Sequence, residues 1–197
     1  MKRLFSLLAI ILTAALTFAA CGNDTTEGES NSSGTAANES HNQQDVAFAK
    51  GMIPHHQQAI TMAQMAQDHA GSPEVKQLAD TIEAAQGPEI ETLSVWLEAW
   101  GEEIPSADAS GDMDHGDMGH GNDGMMSDDQ MEQLSQATGA EFDGMWLEGM
   151  IAHHQGAVQM AETEIAEGKS REAVAMAEEI KAAQSAEIAK MKDLLGS

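Results

Sequence analysis

Two stretches of this chain, ninety-eight residues apart, spell nearly the same text. Phe48 to Ala63 reads FAKGMIPHHQQAITMA, and Trp146 to Ala161 reads WLEGMIAHHQGAVQMA. The register holds without a gap into a second match, in which Gln86, Glu89 and Ile90 correspond to Gln184, Glu187 and Ile188. A repeat that keeps one offset over two separated segments is a structural unit used twice. The fold must therefore accommodate two copies of one unit. What is duplicated is a pair of adjacent histidines beside methionine, side chains that ligate transition metals.

Each unit reads as a helical hairpin. Asp45, Phe48, Met52, His56, Ala59, Ala63 and Ala66 recur at three- and four-residue steps, which places them on one helix face. Ser72-Pro73-Glu74 predicts the start of the next helix: a capping serine, proline at the first helical position and an acid near the positive dipole end. That helix carries Val75, Leu78, Ile82, Gln86, Glu89, Leu93, Trp96 and Trp100 on one stripe, and Gly101 ends it. The second unit runs from about Ala140 to Glu167, turns through Gly168, Lys169 and Ser170, and continues from Arg171 to Leu195. Ser127 and Gln130 predict a capping box opening a short extra helix before Gly139. Pro54 and Pro88 fall inside the first unit's helices where the second has Ala152 and Ala186. Each removes a helical hydrogen bond, so a kink or interruption is expected, and with it unequal geometry for the two histidine pairs. Two hairpins, each apolar on one side, bury their stripes by closing into a four-helix bundle. The fold class is all-α.

The ends and the charge narrow the setting. Lys2 and Arg3 precede an apolar run from Leu4 to Ala20, which reads as a secretory signal over residues 1–20 and not as part of the fold. Phe18-Ala19-Ala20-Cys21-Gly22 resembles a lipoprotein cleavage site, so Cys21, the only cysteine, is expected to carry lipid. No thiol then remains for a disulfide, a thiolate metal site or a nucleophile. Gly22 to Asn42 is rich in Ser, Thr, Gly, Asn and Glu without apolar periodicity. Residues 21–42 are thus expected to be a disordered tether, and 43–197 the bundle domain. A formal charge of −24 repels nucleic acid and anionic membrane and attracts cations. Tyrosine is absent and aromatics are few, so Ala, Leu, Ile, Val and Met must build the core, which favours helices.

Polar residues interrupt the apolar stripes. With Met52 at zero on a helical wheel, His56 falls about 40° away and His55 about 60° to the other side, near Met62. On the partner helix Gln86 and Glu89 fall on the buried side, and the second unit repeats the set as Asp143, Met150, His153, His154, Met160, Gln184 and Glu187. A buried ion left unpaired costs on the order of several kcal/mol, so these groups must hydrogen-bond one another or share a cation. A lone histidine on such a face is more often a satisfied core residue. Two His-His pairs, each with a methionine four residues before its second histidine, favour a metal instead. A separate signal lies in the connection at about 105–127. Asp112 to Met126 reads DMDHGDMGHGNDGMM, which offers Met113, His115, Met118, His120, Met125 and Met126 as further ligands. Thioether with imidazole suits copper: methionine selects Cu(I), and histidine holds either oxidation state. Structural zinc sites more usually recruit cysteine.

These residues resemble the CopM-like family (domain of unknown function 305), through the motif FxxxMIxHHQxAxxMA in two copies, each followed by a helix with AAQxxEI. The resemblance covers about Gln43 to Leu195. It implies a ferritin-like four-helix bundle in the bacterial envelope, with copper-binding or copper-tolerance members. The metal residues it implies here are Met52, His55, His56 and Met62, with Met150, His153, His154 and Met160. Asp45, Gln86, Glu89, Asp143, Gln184 and Glu187 are expected to support them.

The function expected is an extracytoplasmic, lipid-anchored copper-binding protein that sequesters the ion or exchanges it with an envelope partner that donates or accepts copper. It is expected not to be an enzyme. One alternative is a ferritin-like metal oxidase, although the chain has no Glu-x-x-His motif of the di-iron kind. The other is a structural or signalling bundle whose buried His, Gln and Glu bond only one another.

Overall fold

The computed structural model describes residues 41–105 and 124–196. The expected signal over residues 1–20, Cys21, Met113, His115, Met118 and His120 lie outside the described residues. Five helices occur among those described: α1 Gln43–His69, α2 Pro73–Trp100, α3 Asp128–Gln136, α4 Gly139–Glu167 and α5 Arg171–Leu195. None is long and apolar enough to cross a membrane.

Helix ends follow local chemistry. The Ser72 side chain accepts from the Glu74 and Val75 N–H groups to open α2, and Gly101 closes it at φ 77°, a left-handed conformation that glycine tolerates without strain. Ser127 and Gln130 form the capping box of α3. At the start of α1 the bundle reaches further than expected. Asn42 forms a capping box with Asp45, and its side chain donates to the Glu167 carbonyl at 2.8 Å. His41 stacks on Trp100 with ring centroids 4.7 Å apart. These two residues thus belong to the folded unit and not to the tether.

Both prolines are accommodated within continuous helices, contrary to the interruption expected. Each costs one ladder hydrogen bond. Around Pro54 that loss is outweighed by buried neighbours on both sides, Met52, Ile53, His55 and His56.

The apolar stripes meet in two clusters, one towards each end of the bundle. Phe48, Met52 and Ile53 of α1 pack with Leu93 and Leu97 of α2, Ala157 and Ala161 of α4, and Ile180 of α5. At the other end, Met62 and Ala66 pack with Leu78 and Ile82, with Phe142, Trp146 and Met150 of α4, and with Met191 of α5; Leu134 of α3 closes this end. The pairing of chain directions makes α1 antiparallel to α4. Alanines and Gly156 along both helices are wholly buried, which lets the two backbones approach closely. Trp146 ties them together by donating its indole N–H to the Met62 carbonyl at 2.9 Å.

The duplication also locks the two hairpins reciprocally. Asp45, on α1, accepts from the Lys169 and Ser170 N–H groups at 3.0 and 2.8 Å, in the turn between α4 and α5. Asp143, its counterpart on α4, accepts from the Gly71 and Ser72 N–H groups at 3.0 and 2.9 Å, in the turn between α1 and α2. Each hairpin thus caps the other's turn with a carboxylate.

Candidate metal centre

Between the two apolar clusters runs a belt of polar side chains. His55 and His56 sit midway along α1, and His153 and His154 midway along α4; each is at most 1% exposed. The antiparallel crossing brings His55 and His153 into contact, with ring centroids 3.7 Å apart and planes inclined at 38°. The other two rings face outward to the partner helices. His56 Nε2 lies 2.7 Å from Glu89 Oε2, and His154 Nε2 lies 2.8 Å from Glu187 Oε2. Neighbouring rings are 6.4 Å apart in the first pair and 6.2 Å in the second. The two pairs thus match in their glutamate and ring distances, with α1 continuous through Pro54.

The carboxylates decide which nitrogen is left over. A glutamate that engages Nε2 fixes the tautomer and directs the Nδ1 lone pair elsewhere, as second-shell carboxylates do for metal-ligating histidines. Nδ1 of His56 and of His154 are buried without a hydrogen-bond partner, as are both amide atoms of Gln86. An unmet buried polar atom costs about 1–3 kcal/mol, so each of these groups calls for a partner. Burial, together with the adjacent His55, His154 and His56, holds the His153 pKa well below the ordinary histidine value. Its imidazole is therefore neutral near pH 7, the form that binds a cation.

Thioethers flank the belt. Met52 and Met150 are fully buried, one turn before His56 and His154. Met62 and Met160 cross to the opposite helix in matching fashion. A Cβ on Gly149 would come within 3.5 Å of Met62 Cε, and one on Gly51 within 3.5 Å of Met160 Sδ. Glycine at the same register of both repeats makes these two slots, a signal present in the sequence that composition alone does not flag. Among the described residues no three of His, Cys, Asp or Glu converge as a metal-ligand set. The donor types gathered here, imidazole and thioether, are a set that fits copper.

Two of the residues expected to support the site do not. Asp45 and Asp143 stand at opposite ends of the bundle, where turn N–H groups draw them. Gln86 and Gln184 are buried on the same helix faces as Glu89 and Glu187. Of the connection's ligands, Met125 and Met126 are described, and the structure attaches them to this region through a residue that the motif reading passed over. The Gln58 amide donates to the Met126 carbonyl and accepts from its N–H, both at 2.8 Å. Gly156 occupies the equivalent place in the second repeat, so this latch exists on one side only.

A duplicated helical hairpin with histidines and methionines buried at mid-bundle defines a class of all-helical protein. The sequence matches Domain of unknown function (DUF305) over residues 45–195, and the chain belongs to that family. It is similar to CopM in the Cu(II)-bound form, at 35% identity over 77% of this chain and 95% of that one, with a TM-score of 0.65. The Cu(I)-bound form of CopM matches at 32% identity over 76% and 94%, with a TM-score of 0.62. A DUF305 protein of Streptomyces coelicolor, described as secreted, matches at 30% identity over 78% and 92%, with a TM-score of 0.69. No curated protein matches the chain.

Proposed function

We propose that this protein binds copper outside the cytoplasm, anchored through a lipid on Cys21, and sequesters the ion or passes it to an envelope partner. The single observation that carries this reading is the buried histidine belt, with His153 neutral and Nδ1 of His56 and His154 unpartnered, between flanking thioethers. The CopM structures with Cu(II), Cu(I) and silver support it, as does the secreted relative. His55, His56, His153 and His154 would supply nitrogen, and Met52, Met62, Met150 and Met160 sulfur. Glu89 and Glu187 act as positioning residues that aim Nδ1 inward. Thioethers are weakly held ligands for Cu(II) and good ones for Cu(I), so the set suits exchange of the ion without catalysis.

Competition titration against chromophoric chelators tests the proposal. Cu(I) and Cu(II) are expected to bind the full chain, and replacing the four histidines with alanine is expected to abolish the tighter binding. Glu89→Gln with Glu187→Gln is expected to weaken affinity about 10–100-fold while leaving the helical circular dichroism unchanged. Copper affinity equal in wild type and in the four-histidine variant would overturn the reading.

A further inference from the structure

The geometry points to a second site, a solvent-open thioether cleft that takes a soft monovalent cation, Cu(I) or Ag(I), beside the histidine belt. It rests on the copper reading for its cargo but on different residues. The chain comes down onto α4 at Gly124, whose φ of 77° and close contact with the Ala152 carbonyl and the His153 Cα leave no room for a side chain. The two hydrogen bonds from Gln58 then hold Met126 in place. Its sulfur drops onto Gly149, 2.8 Å from where a Cβ would stand, and beside Met62. Next to it opens a cleft of about 330 Å³, lined by Met125, Met126 and Met145 with Gln130, Gln133 and Glu148.

Three features separate this cleft from ordinary core packing. All three methionines are only partly buried, although Met126 and Met145 also touch the apolar cluster at this end. Methionine used merely as filler is drawn to closed gaps, whereas here three line an open one. Glu148, exposed at the rim, supplies negative charge that raises the local concentration of cations. The donors are soft and contain no imidazole, so the cleft selects Cu(I) or Ag(I) over Cu(II). Gly149 and Ala152, in its wall, lie within one turn of His153 on the same helix. The cleft is thus placed as a port from which a monovalent ion reaches the belt.

Silver(I), a monovalent probe without redox chemistry, tests this in the full chain labelled with 13C-methyl methionine. The methyl signals of Met125, Met126 and Met145, assigned by single substitutions, are expected to shift in wild type and in the four-histidine variant alike. Met125→Leu, Met126→Leu and Met145→Leu combined keep the volume nearly constant and are expected to lose one bound Ag(I) equivalent. That triple variant retains Cu(II) binding at the histidines. Full Ag(I) stoichiometry in the triple variant, or methyl signals that Ag(I) leaves in place, would overturn the cleft while leaving the histidine reading intact. Shifted cleft methyls with histidine substitutions that change nothing would do the reverse. If the four-histidine variant does not fold, the stoichiometry of the triple variant decides.

Discussion

Glu164 stands where the first repeat has Ala66, and it is wholly buried. Burial, then the neighbouring Asp45 carboxylate, pushes its pKa up to about 8, so at pH 7 it is protonated. Burial also pushes Asp45 upward, but hydrogen bonds from Glu164 and from the Asn42, Ser170 and Lys169 N–H groups prevail and leave it below the usual carboxylate range. The two shifts act in different windows. Asp45 contributes stability that is present above its ordinary value of 3.8 and lost as acid protonates the folded carboxylate. Glu164 works the other way. From its ordinary value of 4.5 up to about 8 the unfolded chain has released a proton that the folded one keeps, so stability falls as pH rises through that window. The slope is at most about 1.4 kcal/mol per pH unit. Glu164→Gln, which donates to Asp45 without needing a proton, is expected to raise the melting temperature at pH 8 by far more than at pH 5. Equal gains at both pH values would contradict this assignment.

At the level of single elements, the segment entering α3 is where the symmetry of the duplication breaks. Gln58 holds Met126 by both backbone groups, and Gly124 seats the preceding chain against α4. Losing the Gln58 amide leaves two backbone groups to find other partners, at a cost of about 1–2 kcal/mol locally. Gln58→Ala is therefore expected to raise hydrogen exchange at the Met126 amide roughly ten-fold or more while exchange in the middle of α1 and α4 stays slow. An unchanged rate at Met126 would mean that the latch contributes nothing to holding the segment. The same two-residue attachment explains why α3, only nine residues long and with Leu134 as its buried anchor, keeps its place.

For the whole molecule, the reciprocal caps couple the hairpins at both ends, and the histidine belt lies between them. Each aspartate accepts two backbone N–H groups from a turn of the opposite hairpin. Hydrogen bonds to a charged group are worth about 1.5–3 kcal/mol each, and removing the acceptor exposes or orphans both donors. Asp45→Ala and Asp143→Ala are each expected to lower stability by about 2–4 kcal/mol in chemical denaturation. The caps sit at opposite ends and share no partner, so the two losses are expected to add. A double variant no less stable than either single one would show that the ends are not independent locks.

The sequence alone determined the all-α class, the two hairpins, most helix ends and the candidate metal-ligating residue types, because periodicity, capping chemistry and repetition act over a few residues. It marked Met52, His56, Met150 and His154 as buried for the same reason. The tertiary fold decided what meets across helices. The antiparallel crossing of α1 and α4 put His55 against His153 and sent Asp45 and Asp143 to the turns. Gly51 and Gly149 became slots for methionine, and Gln58 became a latch. Such encounters depend on how far apart two helix axes pass and in which direction they run. Those quantities are set by the sum of all the packed side chains and are written in no single stretch of the chain.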